Sequence, residues 1–446
     1  MFKKTFTVLS VVWLSLALAL AGCGSSDAGK DSGAAAGNSS NSGISGKTEA
    51  QKAPELDKTP VHLTASCIGA CIDPDEFKET VADPLNQKFP FLTIELLPTK
   101  PVDDVIASGD IPDLYFSGIL DVSVLKEYGL QYDLNPMIKK WNVDLSKFQK
   151  SSIDMVSKYG DKGEVYSIPY RNNFFALYYN KDIFDRFAVP YPKDGMNWED
   201  TIALARKVTR NDGGVQYQGL SNMAYARLSL TMLQNKYDPK TGKATLETDG
   251  WKKAMQIFKD IHSIPGNEKN SPAKDFTDKQ NIAMFAGSGQ FPQWEKLAKD
   301  GHPLNWDMVS FPTMKDNLKK VDSPLSIISL TSTSKHKDQA FQAILAAVSK
   351  ESQIKFTSWV KLTVLNDEDI KSKFGSAYET LKGKNLKAPS YNEFVPVNVS
   401  SPYDEAINKL INQAADQVVT GKLDINTALR QAEDNANAAI EDLKKK

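Results

Sequence analysis

The sequence predicts an α/β protein made of more than one compact unit, and three observations carry that reading. Short apolar strand patterns alternate with amphipathic helical stretches from about residue 60 onward, the rhythm of mainly parallel sheets with right-handed crossovers. The chain has 446 residues, too many for one ordinary core and enough for two or three. No segment repeats at a period of about 20–50 residues, which excludes a solenoid.

The elements follow in order. Val61–Ala65 reads as the first strand and Thr93–Leu97 as the second. Between them Phe77, Val81, Leu85 and Phe89 recur near helical spacing, with Asp73 or Asp75 as the N-cap. A short helix over Val102–Ala107 leads through the turn Gly109–Asp113 to a third strand, Leu114–Phe116. Ligands of such sheets sit beyond the carboxyl ends of the strands, here the segments after Ala65, Leu97 and Phe116. Phe174–Tyr179 is an aromatic strand and Asn197–Thr209 an amphipathic helix. Trp251–Ile261 is another helix, its stripe formed by Trp251, Ala254, Met255, Phe258 and Ile261. Ser326–Leu330 is a strand and Lys337–Ser349 a helix. Two closing helices, Tyr403–Thr420 and Ile425–Leu443, are separated by Gly421, suited to a helix C-terminus.

The first segment reads as an address. Lys3 and Lys4 precede an apolar run of 14 residues, Val8–Ala21. A span needs about 20, so the run has the form of a secretory signal peptide. It ends Leu20-Ala21-Gly22-Cys23, small residues before a Cys that resemble the lipobox of bacterial lipoproteins. That resemblance implies removal of residues 1–22 and lipid on Cys23; an ordinary signal peptide with an incidental Cys is the alternative. Residues 23–59 are rich in Gly, Ser, Ala and Asn and read as a flexible tether. About 35 such residues reach roughly 30–35 Å.

Composition narrows the function. The formal net charge is -1, with no global electrostatic footprint for nucleic acid. Three Cys and four His exclude a Cys-rich scaffold and argue against a multi-ligand zinc site, so neither metal nor cofactor is expected. Beyond Cys23, Cys67 and Cys71 flank Ile68-Gly69-Ala70. They could close a small disulfide loop or remain two buried thiols, and both readings stand open. Ser332–Lys335 and Ser334–Lys337 read S-x-x-K, Tyr178-Tyr179-Asn180 reads Y-x-N, and Lys240-Thr241-Gly242 reads K-T-G. The serine β-lactam-binding enzymes place S-x-x-K first, whereas here it comes last. No G-x-S-x-G, H-E-x-x-H or Walker A string occurs, and no catalytic residue is assigned.

Other strings carry a resemblance. Gly109-Asp110-Ile111-Pro112-Asp113-Leu114 resembles a turn of the bacterial extracellular solute-binding proteins, family 1, which includes maltose-binding protein. Gly163–Tyr170 leads to Ala176-Leu177-Tyr178-Tyr179-Asn180-Lys181-Asp182-Ile183-Phe184, then Pro192 and Asn197-Trp198-Glu199-Asp200, the most specific stretch. Asn281–Phe285 and Gly421 with Ala428-Leu429 are similar to later patterns of the same family. The resemblance implies a two-lobed, type II periplasmic-binding-protein-like fold, each lobe a mainly parallel sheet flanked by helices. It implies lobes of 60–170 plus 325–370 and of 171–324 plus 371–446. Crossing segments would fall near Tyr170–Arg171, Ser323–Ser326 and residues 366–375. It further implies a monomeric, lipid-anchored receptor of an ABC importer, binding a carbohydrate and handing it to the permease. A lipid-anchored polysaccharide-active enzyme and a surface adhesin are the alternatives.

A cleft for sugars needs aromatic faces for C–H groups and polar groups for hydroxyls. Tyr170, Arg171 and Asn173 lie just before the second-lobe strand; Arg171 has the alternative role of pairing a carboxylate at the crossing. By resemblance Asn173 matches a polar ligand contact that is acidic in maltose-binding protein. Ser117 and Gln290 match stacking Trp positions of that relative. Ser288 shares the Gln290 loop, and Trp294, one turn later, is a candidate replacement ring. Asn222 and Tyr225 follow Leu220, and Trp359 and Tyr403 complete the candidates, each with internal packing as the alternative.

Overall fold

The computed structural model describes residues 54–69, 71–221, 225–267, 274–322, 325–395 and 400–445. The segment read as a signal peptide, Cys23, most of the segment read as a tether, Asn222 and Ser323 lie outside the described residues. In chain order the strands of the two main sheets and of one small ladder are β1 (Val61–Ile68), β2 (Leu92–Leu96), β3 (Leu114–Gly118), β4 (Ile168–Asn172), β5 (Ala176–Asn180), β6 (Met284–Gly287), β7 (Trp306–Ser310), β8 (Lys320–Asp322), β9 (Leu325–Leu330) and β10 (Glu393–Val395), with β8 and β10 forming the ladder.

Two main sheets form, one of order β2-β1-β3-β9-β4 and one of order β6-β5-β7. Parallel neighbours need a crossover between them. Helical stretch 74–88 and the helix Val102–Ser108 supply it, and β1 runs parallel to both β2 and β3. The expectation of a mainly parallel sheet in each lobe is corrected beyond that point. β9 is antiparallel to β3 and β4, and β5 is antiparallel to β6 and β7. These pairs join distant chain segments rather than βαβ units, so no crossover rule fixes their direction. A parallel ladder resumes beside β6, where Gln218 accepts from Ala283 N–H and donates to Asn281 O.

Burial follows the strand period. Leu114 and Phe116 of β3 enter one core while Tyr115 faces a small cluster on the other side. β5 is buried on both faces: Leu177 and Tyr179 enter one cluster, Ala176 and Tyr178 another. The core around the first sheet draws on residues from Val61 to Tyr170 and from Leu325 to Val364. The cores of the second sheet draw on Phe174 to Val321, on Leu381 and Ala388, and on Ile407 to Ile440, with Val360 added from beyond β9.

Helices cover these sheets: α1 (Trp198–Val208), α2 (Asp249–His262), α3 (Phe291–Lys299), α4 (Lys337–Ala347), α5 (Lys350–Ser358), α6 (Asp404–Val419) and α7 (Ile425–Leu443). Asn197 caps α1 by accepting from Asp200 N–H at 2.8 Å. The α2 stripe is buried at all five predicted positions. After α6, Gly421 takes φ 71°, and Lys422 N–H reaches back to Gln417 O, closing the turn between the last two helices. Helical stretch 74–88 widens over Lys78–Ala82, where Asp83 N–H bonds Lys78 O. Pro84 explains the widening: it lacks an N–H, and its ring would clash with the carbonyl four residues back.

Candidate functional site

The site begins at the carboxyl end of β1. Cys67 and Cys71 are joined by a disulfide, their Cα atoms 5.2 Å apart. Two residues on, Asp73 caps the next helix by accepting from Asp75 N–H at 2.9 Å and from Glu76 N–H. The cap fixes the first turn, from which Glu76 projects. Its carboxylate binds the guanidinium of Arg171, whose side chain is 7% exposed. Arg171 extends from the end of β4 over the rings of Tyr170 and Phe356, at 5.3 and 5.8 Å. Its Nε finds no partner among the described residues. Lys361 Nζ stands 3.7 Å from the other Glu76 oxygen, beyond hydrogen-bond length. Burial, and then the Arg171 guanidinium, hold the Lys361 ammonium below its usual value, against the pull of Glu76.

Lys361 is presented by the end of α5. Val360 N–H bonds Thr357 O and Lys361 N–H bonds Phe356 O, a helix-terminating turn that usually places Gly at its left-handed position. Here that position is Val360, at φ 64°. A β-branched side chain is strained there, by about 1–3 kcal/mol. Burial offsets the strain, because the Val360 side chain packs into the second sheet's core.

Between these groups and the second sheet lies a cleft of 190 Å³. Glu76, Trp359, Val360 and Lys361 line one side, Asn173 and Phe174 the middle. Ser288, Gly289, Phe291, Pro292 and Tyr378 line the other. Asn173 Nδ2 donates to Ser326 Oγ at 3.2 Å. Burial raises the Tyr378 phenol pKa, and Glu76 and Glu295 add to the rise. At Gly289 a Cβ would lie 2.3 Å from Phe291 Cζ and 2.8 Å from Tyr178 Oη, so no larger residue fits without displacing the aromatic wall.

Three sequence candidates meet in this cleft: Asn173, Ser288 and Trp359. Arg171 stands behind it, in the pairing role, with Glu76 as its carboxylate. Several others are placed away from its surface. Tyr170 is buried in the first core, its ring 5.4 Å from Phe116. Trp294 is 1% exposed among Tyr178, Phe291 and Trp306, and its Nε1 donates to Thr277 Oγ1. The helical stripe of α3, not the loop before it, claims that ring. Gln290 accepts from the same Thr277 hydroxyl. Tyr225 is buried with its hydroxyl on Trp251 O, and Ser117 is buried in β3 beside Ile68. Tyr403 packs on Tyr237, ring centroids 5.1 Å apart.

Glu76, Phe174, Phe291, Lys361 and Tyr378 were absent from the sequence candidates. Glu76 was accessible to it: the helix start after the first strand is one of the strand-end segments. Lys361 and Tyr378 carry no local signal. The enzyme-like fragments lie apart in kind. Tyr178 is core, Thr241 bonds Asp238 in an exposed turn, and Ser334 bonds Asp113. Among the described residues no three His, Cys, Asp or Glu side chains are grouped to hold a metal. Two other cavities, of 590 and 440 Å³, share no lining residue with the cleft.

Comparison with known proteins gives the family and the fold. The profile of the bacterial extracellular solute-binding proteins matches residues 100–382. A Brucella abortus protein named as a binding protein is 22% identical over 287 residues, 62% of this chain and 68% of that one. An ABC substrate-binding protein from Listeria monocytogenes, in complex with cycloalternan, superposes with a TM-score of 0.69 at 18% identity, covering 85% of this chain and 99% of that one. The sugar-binding protein MalE from Xanthomonas citri gives 0.68 at 16% identity, covering 86% and 98%. The two-lobed fold is shared with these structures, and the profile spans the chain from before β3 to beyond the cleft residue Tyr378. The chain is therefore a member of the bacterial extracellular solute-binding protein family.

Proposed function

We propose that the chain is the extracytoplasmic receptor of an ABC importer and takes up a carbohydrate in the cleft between its two sheets. The observation that carries this is the chemistry of the cleft walls. Rings of Phe174, Phe291, Trp359 and Tyr378 stand beside the polar groups of Asn173, Ser288 and Glu76, the mixture that a sugar's C–H faces and hydroxyls require. The Listeria relative's complex with cycloalternan and the sugar-binding name of the Xanthomonas one support the same class.

Residues 60–170 plus 325–370 would form one lobe and 171–324 plus 371–446 the other. A ligand touching both binds their closed arrangement better and shifts the population toward it; the permease then recognises that form. Lipid on Cys23 would hold the receptor at the membrane, with 23–59 as its tether. Among the described residues no helix is long and apolar enough to cross a membrane.

The test is a thermal-shift screen of the full chain against mono- and oligosaccharides, peptides and polyamines. A sugar that raises the melting temperature is the expected result. A shift with peptides or polyamines and none with any sugar refutes the substrate class. Intact mass decides the anchor: an unlipidated Cys23 removes it.

A further inference from the structure

Among the described residues, the cleft lining holds one cation, Lys361, with no acid within hydrogen-bond length. Arg171 and Lys361 flank one carboxylate, Glu76, which is the only acid among the described residues that line the cleft. Asp73 also acts on Lys361, from an exposed position at the helix start where it accepts two backbone N–H groups. The facing wall brings Ser288, Gly289, Phe291, Pro292 and Tyr378, none of them acidic. Closing the lobes therefore supplies no second carboxylate from these residues. A neutral sugar binds well between charged side chains that are already paired with each other. Here Lys361 stands 3.7 Å from an acid that Arg171 already holds, in a partly water-excluded site where charges interact more strongly than in water.

We infer that the transported sugar carries an acidic group, a carboxylate or a phosphate, which sits at Lys361 beside the Glu76–Arg171 pair. This rests on the carbohydrate reading above and deepens it. The geometry suits the assignment. Lys361 Nζ stands 3.7 Å from its acid, so an incoming anion can take the ammonium without breaking the tighter Arg171–Glu76 contact. Trp359, two positions earlier on the same turn, offers a ring face to the sugar that carries the charge. The cleft of 190 Å³ is smaller than the roughly 300–1,000 Å³ of sites for drug-sized ligands. A chain longer than one or two rings would therefore extend beyond the cleft as it stands in this arrangement.

The experiment is isothermal titration calorimetry of the full chain with matched pairs. D-galacturonate, D-glucuronate and D-galactose 6-phosphate are titrated against D-galactose and D-glucose, and digalacturonate against galactobiose. At least one acidic sugar is expected to bind about tenfold or more tightly than its neutral partner. Its affinity should fall as NaCl rises from about 50 to 500 mM, with the neutral partner's less affected. Whether uronate or phosphate binds identifies the source of the charge. Lys361→Met should bring the acidic-to-neutral ratio toward one, and Lys361→Arg should preserve it, which separates lost charge from a misfolded variant. Equal or tighter binding of the neutral sugars overturns the inference and leaves the carbohydrate reading standing. Binding of none of these sugars also overturns it, while the broader screen decides the carbohydrate reading by itself.

Discussion

Replacing Glu76 with Ala removes the carboxylate that two cations share. Arg171 is left with its side chain at 7% exposure and its Nε without a partner among the described residues, and the ring contacts of Tyr170 and Phe356 are poor substitutes for the lost carboxylate. Removing one partner of a buried pair costs about 3–5 kcal/mol, because the remaining charge stays desolvated. Glu76 keeps 17% of its side-chain surface exposed, which lets water reach the gap and favours the lower end, about 3 kcal/mol. For a lobe of this size that is a fall of roughly 6–12 °C in melting temperature. Differential scanning calorimetry of the full chain measures it. The double variant Glu76→Leu with Arg171→Met removes both charges and keeps the volume, so it should recover at least half the loss. A Glu76→Ala protein melting within about 2 °C of the parent would mean that the pair is effectively solvated, and the energetic argument for a charge-tight cleft would fail.

Other perturbations separate lining from core. Gly289→Ala pushes a methyl into Phe291 and the Tyr178 hydroxyl, costing about 1–3 kcal/mol and suppressing the ligand-induced thermal shift. Trp294→Ala should cost about 3–5 kcal/mol by denaturant titration, with ligand affinity per folded molecule kept, since the ring is core rather than wall; a selective loss of affinity would contradict that placement. Trp359→Ala should weaken sugar binding by about 0.5–1.5 kcal/mol, roughly two- to twelvefold, in calorimetric titrations. Lys361 gives a pH test. Burial and the Arg171 guanidinium hold its pKa below that of an ordinary lysine, so the positive charge is held at a cost at neutral pH, and that cost disappears as pH rises above the lowered value. Affinity for an acidic sugar should therefore fall on the alkaline side at a lower pH than an ordinary lysine would give, with Glu76, Arg171 and Asp73 as the charges acting on the group. In Lys361→Arg the fall should vanish.

The fold was readable wherever a local pattern carried it. Helix α2 is the clearest instance, because one amphipathic stripe determines its buried face without help from the rest of the chain. Sheet direction was less readable: β9 and β5 find partners from remote segments, and nothing within a strand records which way its neighbour will run. The site divides similarly. Asn173 and Trp359 were accessible because one follows a recognisable string and the other is an aromatic in a loop-like stretch. Lys361 was not, since one Lys among the chain's 54 basic residues is unremarked until Glu76 and Arg171 are brought beside it. Trp294 misleads in the opposite sense, because its place on the α3 stripe outweighs its nearness to a cleft loop.

The end of α5 has a mechanical consequence. Trp359 packs on the first sheet's core, Val360 in the second's, and Leu362 exchanges both backbone hydrogen bonds with Asn172. One peptide link thus has a foot in each body. Any relative rotation of the bodies must pivot close to this link, since neither side chain can leave its core cheaply. Points near a pivot travel little, and points far from it travel far. Trp359 and Lys361 would then move little, a fixed jaw root, while the wall facing them swings onto a ligand already held there.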